Sequence, residues 1–258
     1  MPLNTPITDW TNRRVWLIGG STGIGEALAR QLAHAGARIA LSARSRDKLE
    51  LLAQALLGTR AYPFDMTDAQ ATAETARQIV ADWGGIDVVV VMAGTYVEMR
   101  AQNFELAAAR QQIEVNLNGV LNVLAPVLPQ LISQRSGHLC LVSSVAGYSG
   151  LPNGMVYGAS KAGLINMAEA LYVDLGEFNV DVSLVSPGFV ETPLTAQNKF
   201  PMPFIITADA AASAMMKSFA KGDFEMHFPR RFTRLLKFLR LLPYSLYFPA
   251  IRKITGLG

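Results

Sequence analysis

Residues 15–25 read Val-Trp-Leu-Ile-Gly-Gly-Ser-Thr-Gly-Ile-Gly, an apolar run that passes directly into a glycine-rich turn. The apolar spacing that follows predicts a helix over Gly23–Ala35. Glycine lets a ligand approach the backbone closely, and the free N–H groups and dipole at a helix start hold negative charge. This arrangement favours a dinucleotide-binding turn over an ordinary tight turn. The residues assigned to it are Gly19, Ser21, Thr22, Gly23, Ile24 and Gly25.

Short apolar runs alternate with helical stretches along most of the chain. The predicted strands are Val15–Ile18, Arg38–Ser42, Ala61–Phe64, Val88–Met92, His138–Ser143 and Asp181–Val185. The other predicted helices are Arg46–Leu57, Ala69–Trp83, Glu105–Ser133 and Tyr157–Glu177. This alternation indicates an α/β fold with a doubly wound parallel sheet of Rossmann type and about seven strands. Ligands of such sheets bind beyond the carboxyl ends of the strands.

The composition excludes several classes of protein. Half of the 258 residues are apolar and 17% are charged, which argues against disorder. Met1–Trp10 lacks a signal pattern and no run of about 18 uncharged apolar residues occurs, so we expect a cytoplasmic protein without a conventional membrane span. The single cysteine, Cys140, lies in an apolar run, which favours a buried thiol in a reducing compartment. His34, His138 and His227 are isolated, so no metal site is expected.

The end of the second predicted strand indicates which dinucleotide is bound. NAD sites usually place Asp or Glu there to bond the ribose hydroxyls. Here the strand ends Leu41-Ser42-Ala43-Arg44, and Arg44 can receive a 2′-phosphate as a planar fork. We therefore expect NADP(H) in preference to NAD(H), with a solvated helix start as the alternative. Asp65 and Met66 follow the third strand, and Asp65 is assigned either to the adenine amino group or to capping of the next turn.

A second motif, Tyr157-Gly158-Ala159-Ser160-Lys161, completes a series. The members of the series are the glycine turn, Asp65, Ala93-Gly94, Asn116, Ser143-Ser144, Tyr157-x-x-x-Lys161 and Pro187-Gly188. In this order and spacing, residues 12–195 resemble the short-chain dehydrogenase/reductase family. The resemblance implies an oxidoreductase that moves a hydride between a nicotinamide cofactor and a carbonyl or alcohol.

Tyr157 and Lys161 are one helical turn apart and therefore share a helix face. A phenol has a pKa of about 10, and a nearby ammonium lowers that pKa toward the range useful in acid/base catalysis. We therefore expect Tyr157 to be the acid/base and Lys161 to lower its pKa, with a surface pair as the alternative. Both residues are also assigned to the cofactor.

Further site residues rest partly on the resemblance. Ser144, just past the fifth predicted strand, is expected to bond the substrate oxygen, with Ser143 as the competing choice. The resemblance gives Asn116 a water that links to Lys161 in a proton relay, and Asn118 is the less favoured candidate.

The remaining cofactor residues follow two other predicted strands. By resemblance, Pro187 and Gly188 adjoin the cofactor, and Val190 and Thr192 hold the nicotinamide carboxamide; a simple proline-bounded loop is the alternative. Ala93 and Gly94 allow the backbone to lie against the cofactor. The family usually has Asn-Asn before this Ala-Gly, whereas this chain has Val91-Met92. We expect the lost amides to loosen the central sheet or the adenosine-side contacts.

The residues after Thr192 lie where the family carries its substrate lid. The apolar residues there are Leu194, Phe200, Met202, Phe204, Ile205 and Ile206, and further pocket walls are expected from Met99, Tyr148, Leu151 and Met155. This composition favours a small lipophilic carbonyl or alcohol substrate over simple packing on the core. We divide the chain into a catalytic domain over residues 1–222, with a lid at 189–210, and a helical C-terminal extension over 223–258.

The extension carries the positive charge. Residues 221–258 contain eight basic and two acidic residues, whereas the whole chain has a net charge of +3. An apolar stripe at helical spacing comprises Phe232, Leu235, Leu236, Leu239 and Leu242, and the other side carries Arg231, Arg234, Lys237 and Arg240. Such a basic amphipathic segment is equally compatible with a membrane-surface contact through residues 230–253 and with packing on the domain or a partner subunit. Nothing in the pattern supports nucleic-acid binding.

Two further expectations concern assembly and the class of protein. The resemblance implies a homodimer or homotetramer that forms through the helices Glu105–Ser133 and Tyr157–Glu177. The alternative to an enzyme is a cofactor-binding sensor or scaffold without turnover, tethered to a membrane through the extension. The complete set of Ser144, Tyr157, Lys161 and Asn116 favours the enzyme, because a sensor needs no proton relay.

Overall fold

The computed structural model, which describes residues 1–198 and 200–256, contains a parallel sheet of seven strands. The strands are β1 (Arg14–Ile18), β2 (Arg38–Ser42), β3 (Thr59–Ala61), β4 (Val88–Val91), β5 (Gly137–Val142), β6 (Val180–Pro187) and β7 (Glu225–Phe228). Their spatial order is β3-β2-β1-β4-β5-β6-β7, which reverses between β1 and β4. A crevice opens beyond the carboxyl ends of the strands at such a reversal. The predicted fold class is confirmed.

Helices cover both faces of the sheet. They are α1 (Gly23–His34), α2 (Arg46–Ala55), α3 (Ala69–Trp83), α4 (Leu106–Ile113), α5 (Gly119–Gln134), α6 (Met155–Leu175), α7 (Ala208–Lys221), α8 (Arg230–Arg240) and α9 (Tyr244–Thr255). Buried side chains of α3, α5 and α6 form the core on one face, and those of α1, α2 and α7 form the core on the other. The valines of β4 alternate between these two cores, which explains why this strand is apolar throughout.

Several predicted boundaries differ from the structure, and three of the differences change the arrangement of the elements. The third strand was expected over Ala61–Phe64 but ends at Ala61, because Pro63 has no N–H to donate to the ladder. The helix expected over Glu105–Ser133 is divided into α4 and α5 by a π-helical turn at Glu114–Asn118. The seventh strand, β7, pairs with β6, so the sheet continues past the boundary predicted at residue 222.

One helical run is long and apolar enough to cross a membrane by length and composition alone. It spans Leu106–Gln134, with a mean hydropathy of 1.4 in its most apolar window. Its buried residues, among them Val123, Val127 and Leu131, belong to the core against the sheet. This composition is what a core helix of an α/β domain requires, so the run is weak evidence for a membrane span.

The C-terminal helices fold back onto the domain. Phe232 and Leu236 of α8 join the core that α5 and α6 build. Leu239, Tyr247 and Ile251 form a smaller buried cluster, and the Tyr247 hydroxyl donates to Gly150 O at 2.7 Å. Lys199 of the predicted lid and residues 257–258 of the predicted extension lie outside the described residues.

Candidate active site

A cleft of about 420 Å³ opens at the carboxyl ends of the central strands. Of the predicted cofactor and catalytic residues, all but Asn116 line it: Gly19, Ser21, Thr22, Gly23, Ile24, Gly25, Arg44, Asp65, Met66, Ala93, Gly94, Ser144, Tyr157, Lys161, Pro187, Gly188, Val190 and Thr192. Apart from Tyr157 and Lys161, which lie on α6, these residues lie at or after the ends of the six strands β1 to β6. The parallel sheet brings them together because the carboxyl ends of its strands share one edge. In the described residues, no group of three or more His, Cys, Asp or Glu could hold a metal ion.

The glycine turn is shaped by close backbone contacts. A Cβ at Gly25 would lie 2.2 Å from Gly19 O, and a Cβ at Gly19 would lie 2.5 Å from Ala93 N. Gly19 also has a φ of +92°, which side chains with a Cβ rarely adopt. Thr22 is the N-cap of α1, and within the described residues its side chain makes no capping hydrogen bond. The first N–H groups of α1 therefore face a cleft that admits a phosphate against the backbone.

The altered segment after β4 keeps its place through the backbone. Met92 N and Ala93 N both donate to Ile18 O, at 2.9 and 3.0 Å. These bonds need no side-chain amide, so the end of β4 is held to β1 despite the missing Asn-Asn pair. Met92 itself lines the cleft.

The adenosine end of the cleft contains one cation and one carboxylate. Arg44 is exposed at the rim, and among the described residues no carboxylate lies within 4 Å of its guanidinium. Asp65 lines the cleft while its Oδ1 accepts from Thr67 N at 3.0 Å and from Thr67 Oγ1 at 2.9 Å. Asp65 therefore caps the following turn, and this does not remove it from the cleft. Met66 is buried, and its carbonyl accepts from Asn122 Nδ2 at 3.0 Å.

Tyr157 and Lys161 lie side by side on α6. The Lys161 ammonium is 5.7 Å from the centre of the Tyr157 ring and donates to Val142 O at 2.9 Å. Desolvation by burial lowers the pKa of Lys161 to about 8. Burial raises the pKa of Tyr157, and a hydrogen bond with Ser144 acts in the opposite direction. Burial is therefore the larger effect on the phenol, and the lowering expected from Lys161 stays a prediction.

The two candidate serines differ in what their hydroxyls contact. Ser143 is buried, and its Oγ donates to Lys161 O at 2.7 Å. Ser144 faces the cleft, and its side chain acts to lower the pKa of the Tyr157 phenol. Its Oγ also accepts from Ala146 N at 3.1 Å, which fixes the start of the turn Val145–Gly147. Ser143 thus ties α6 to the sheet, and Ser144 is the serine available to a ligand.

Asn116 lies in the π-helical turn behind the cleft and is fully buried. Its Oδ1 accepts from Thr95 N at 2.8 Å, and its Nδ2 donates to Thr95 O at 2.9 Å. A Cβ at Gly94 would lie 3.3 Å from Asn116 Oδ1 and 3.5 Å from Lys161 Nζ, so one small group can lie near both. Asn118 is exposed and donates to Glu114 at 2.7 Å, away from this arrangement.

Known proteins share this sequence pattern. A family model described as short chain dehydrogenase matches residues 13–201. An uncharacterized oxidoreductase of Myxococcus xanthus is 37% identical over 253 residues, 96% of this chain and 100% of the relative. An uncharacterized oxidoreductase of Staphylococcus epidermidis is 34% identical over 183 residues, 70% of this chain and 80% of the relative. The chain belongs to the short-chain dehydrogenase family.

Solved structures agree in fold with this short-chain dehydrogenase. A short chain dehydrogenase/reductase from Burkholderia phymatum in complex with NAD has a TM-score of 0.82 at 18% identity, covering 90% of this chain and 94% of that one. A short chain dehydrogenase/reductase family protein has a TM-score of 0.75 at 24% identity, covering 85% and 97%. The relatives are oxidoreductases, and this chain is an oxidoreductase acting on CH–OH groups. A scaffold without turnover is not favoured.

The loop after β6 closes one side of the dehydrogenase cleft. Val190 is buried and forms a parallel bridge with Ile206, and its carbonyl accepts from Thr195 Oγ1 at 2.5 Å. The Thr192 hydroxyl lies 3.2 Å from the same Thr195 oxygen. Gly188 N donates to Phe228 O at 2.7 Å, which joins the loop to β7.

The predicted pocket walls divide between the core and the cleft. Tyr148 is buried, and its hydroxyl donates to Glu225 at 2.5 Å, so it is a core residue that holds β7. Met99 is buried, and Leu151 packs against the C-terminal cluster. Leu194 lines the cleft as expected.

Several cleft residues were not singled out from the sequence. Phe64 and Val115 line it, and the Tyr96 ring meets the Tyr157 ring edge-on at 5.1 Å. The signal for Tyr96 was its position, two residues after Gly94 at the end of β4. The π-helical turn that presents Val115 has no comparable signature in the sequence.

Proposed function

We propose that this dehydrogenase interconverts a carbonyl and an alcohol with NADP(H), with Tyr157 as the acid/base. The observation that carries the proposal is one cleft that joins the phosphate turn to Ser144, Tyr157 and Lys161. The glycine turn fits a dinucleotide, since its close backbone packing leaves the first N–H groups of α1 facing the cleft.

The chemistry divides between the cofactor and the side chains. The nicotinamide cofactor supplies or accepts the hydride when it is bound. In reduction the Tyr157 phenol donates its proton to the substrate oxygen, and in oxidation the phenolate takes the alcohol proton. The Ser144 hydroxyl, which lines the same cleft as Tyr157, orients the substrate oxygen and stabilises its developing charge.

Lys161 and Asn116 support the proton transfer. Below pH 8 the Lys161 ammonium is charged in its buried place, so it favours the phenolate form of its neighbour. Asn116 Oδ1 and Lys161 Nζ both approach the position of the absent Cβ at Gly94. A water held between them would return a proton to Lys161, which completes a relay from the substrate through Tyr157.

The preference for NADP(H) rests on Arg44. Among the described residues that line the cleft, Asp65 is the one carboxylate, and it follows β3 rather than β2. A 2′-phosphate beside β2 would therefore meet a guanidinium and no acidic group. Separate calorimetric titrations with NADPH and NADH test this: tighter NADPH binding is expected, and tighter NADH binding would contradict it.

The substrate is a lipophilic carbonyl or alcohol. The loop that closes the cleft presents Leu194 to it, and the exposed Phe204 and Ile205 extend the apolar surface. A series of methyl ketones of increasing chain length, assayed with NADPH, should show KM falling with length. A KM that rises with length would point instead to a small polar substrate.

We also propose that the enzyme is a homodimer or homotetramer. Leu121 of α5 and Val173 of α6 are exposed on the helices expected to form the contact. Light scattering should give a mass of two or four chains, and a monomer would contradict the proposal.

A further inference from the structure

The C-terminal helices expose a surface different from the one the sequence suggested. Phe232, Leu236 and Leu239, from the predicted apolar stripe, are turned toward the domain. Phe232 stacks on Phe189 of the loop after β6, with ring centres 5.4 Å apart. These three residues of the stripe are therefore used for folding, whereas Leu235 of the same stripe is exposed.

The polar side of α8 is held to β7 by two side chains. The Lys237 ammonium pairs with Glu225 of β7 and lies 5.7 Å from the centre of the Tyr148 ring. Thr233 is buried, and its hydroxyl lies 2.6 Å from His227 Nδ1. With these contacts on one side and the stripe on another, the orientation of α8 is fixed.

The face of α8 that remains outward mixes arginine with large apolar side chains. Arg231, Arg234, Leu235 and Phe238 follow helical spacing on this face and are exposed. Phe238 and Leu241 are 61% and 81% exposed. Large apolar groups at this exposure mark a contact surface when they lie together.

Helix α9 adds exposed aromatic side chains to the outward face of α8. Tyr244 and Phe248 stack with ring centres 5.2 Å apart, and Arg252 follows one turn later. Together with Pro152 they line an open groove of about 480 Å³. Tyrosine and phenylalanine beside arginine are typical of segments that lie at a membrane interface.

The charge of the segment is of one sign. Residues 226–258 contain no Asp or Glu. Six cations of the segment are exposed: Arg230, Arg231, Arg234, Arg240, Arg252 and Lys253. Each basic residue near an anionic lipid surface contributes about 1 kcal/mol to binding.

We propose that the exposed faces of α8 and α9 bind the surface of an anionic lipid bilayer. Apolar and aromatic groups would enter the interface while the arginines contact lipid phosphates. A second copy of the chain is a poor occupant, because two surfaces with six cations each repel one another.

The surface adjoins the substrate loop, and this link rests on the proposed function. Phe204 of the loop is exposed and stacks with Phe232 of α8 at 6.2 Å. An enzyme bound through α8 would present this loop to the bilayer, where lipophilic ketones dissolve. The inference thus adds a route of substrate delivery to the proposed activity.

Vesicle co-sedimentation of the full chain, without cofactor or substrate, tests the binding. The wild type should pellet with vesicles of phosphatidylcholine and phosphatidylglycerol and not with pure phosphatidylcholine, and it should be released by salt. Absence of binding to the anionic vesicles, or equal binding to both kinds, overturns the proposal. Cofactor titration is a separate readout, so a failure of the proposed function is distinguishable.

Two variants locate the surface. F238S/L241S should weaken binding by about tenfold, because two exposed apolar groups are lost from the interface. R231E/R234E should weaken it by about a hundredfold. The matched control is L51S/L57S, which removes leucines that are 68% and 93% exposed at α2 and after it.

Three results of this comparison overturn the proposal. In the first, the control and F238S/L241S lose binding equally. In the second, neither variant of α8 loses binding. In the third, F238S/L241S lowers the mass in light scattering but leaves vesicle binding unchanged, which assigns the face to a second copy.

Substrate delivery has its own readout. For a ketone dissolved in anionic vesicles, F238S/L241S should raise KM at least about fivefold, whereas KM for a water-soluble ketone should stay unchanged. An equal change for both ketones overturns the delivery route and leaves the vesicle measurement to decide the binding.

Discussion

The glycine turn and the C-terminal helices differ in how far their contacts reach along the chain. Gly19 and Gly25 meet each other within seven residues, and the turn's other contacts include Ser42 of β2, Ala93 after β4 and Thr192 after β6. The helix α8 is fixed by Glu225, Phe189 and Tyr148, which lie on three different elements. Local contacts can be predicted from a motif, whereas the orientation of α8 depends on the surface that it meets.

The largest expected effect is on turnover, and it concerns Tyr157, which lies far along the chain from the glycine turn but lines the same cleft. Tyr157→Phe removes the proton donor, so kcat should fall by about a thousandfold. Calorimetry should show nearly unchanged NADPH binding, because the turn at 19–25 is intact. Tyr96→Phe is the matched control, since that ring touches Tyr157 but is not assigned to proton transfer. Turnover near the wild-type value in Tyr157→Phe would refute the assigned acid/base.

The second largest effect is expected on NADPH affinity, from a change of Arg44 at the rim of the cleft. Arg44→Asp places a carboxylate where the 2′-phosphate is expected, so NADPH affinity should fall by about a hundredfold. NADH affinity should change by less than about threefold, since NADH lacks that phosphate. Arg46→Asp is the control, as Arg46 lies on the exposed start of α2 and pairs with Glu50. Equal losses for both cofactors would show that Arg44 acts on folding rather than on the phosphate.

Much of the site could be predicted because its motifs follow strand ends. The turn at 19–25, Ser144, and the pair Tyr157 and Lys161 all line the cleft. The strand β7 was placed in the extension, because four residues that alternate in burial carry little signal. The rise in the phenol pKa that burial causes could not be predicted, since burial of Tyr157 depends on elements far along the chain.

The pH dependence of the unfolding free energy tests how much the burial of charged Lys161 destabilises the folded protein. Burial lowers the pKa of Lys161 to about 8 in the folded protein, from 10.5. The unfolded chain therefore binds more protons between these values, and stability should rise with pH through this window. Lys161→Met should abolish turnover yet stabilise the protein at pH 7 by about 2 kcal/mol, measured by urea unfolding.

The control for this variant is to compare its unfolding free energy with that of the wild type at several values of pH. The gain from Lys161→Met should shrink as the pH rises from about 8 toward 10.5, where the unfolded lysine also loses its proton. A gain that is independent of pH would reflect better apolar packing of methionine. The charge on Lys161 would then not be the cause.

The smallest expected effect concerns the contact that fixes α8. Burial disfavours the charged form of Glu225, but hydrogen bonds from Lys237 and Tyr148 outweigh this and hold its pKa below the ordinary value. Glu225→Gln removes the charge from a partly buried contact, so unfolding free energy at pH 7 should fall by about 1–2 kcal/mol. Glu50→Gln, which breaks an exposed pair with Arg46, should change it by less than about 0.5 kcal/mol.

The contact of Glu225 with Lys237 and Tyr148 should be lost in acid. A carboxylate whose pKa is lowered on folding stabilises the folded protein above its unfolded pKa, and this stabilisation is lost as the pH falls through the folded pKa. In the wild type, limited proteolysis should therefore cut within residues 230–256 more readily below about pH 4 than at pH 7. Glu225→Gln should be cut equally at both values of pH. Rapid cleavage of the wild type at pH 7 would show that Glu225 does not fix α8, and the orientation of the helix would then rest on its apolar contacts with Phe189 and the core.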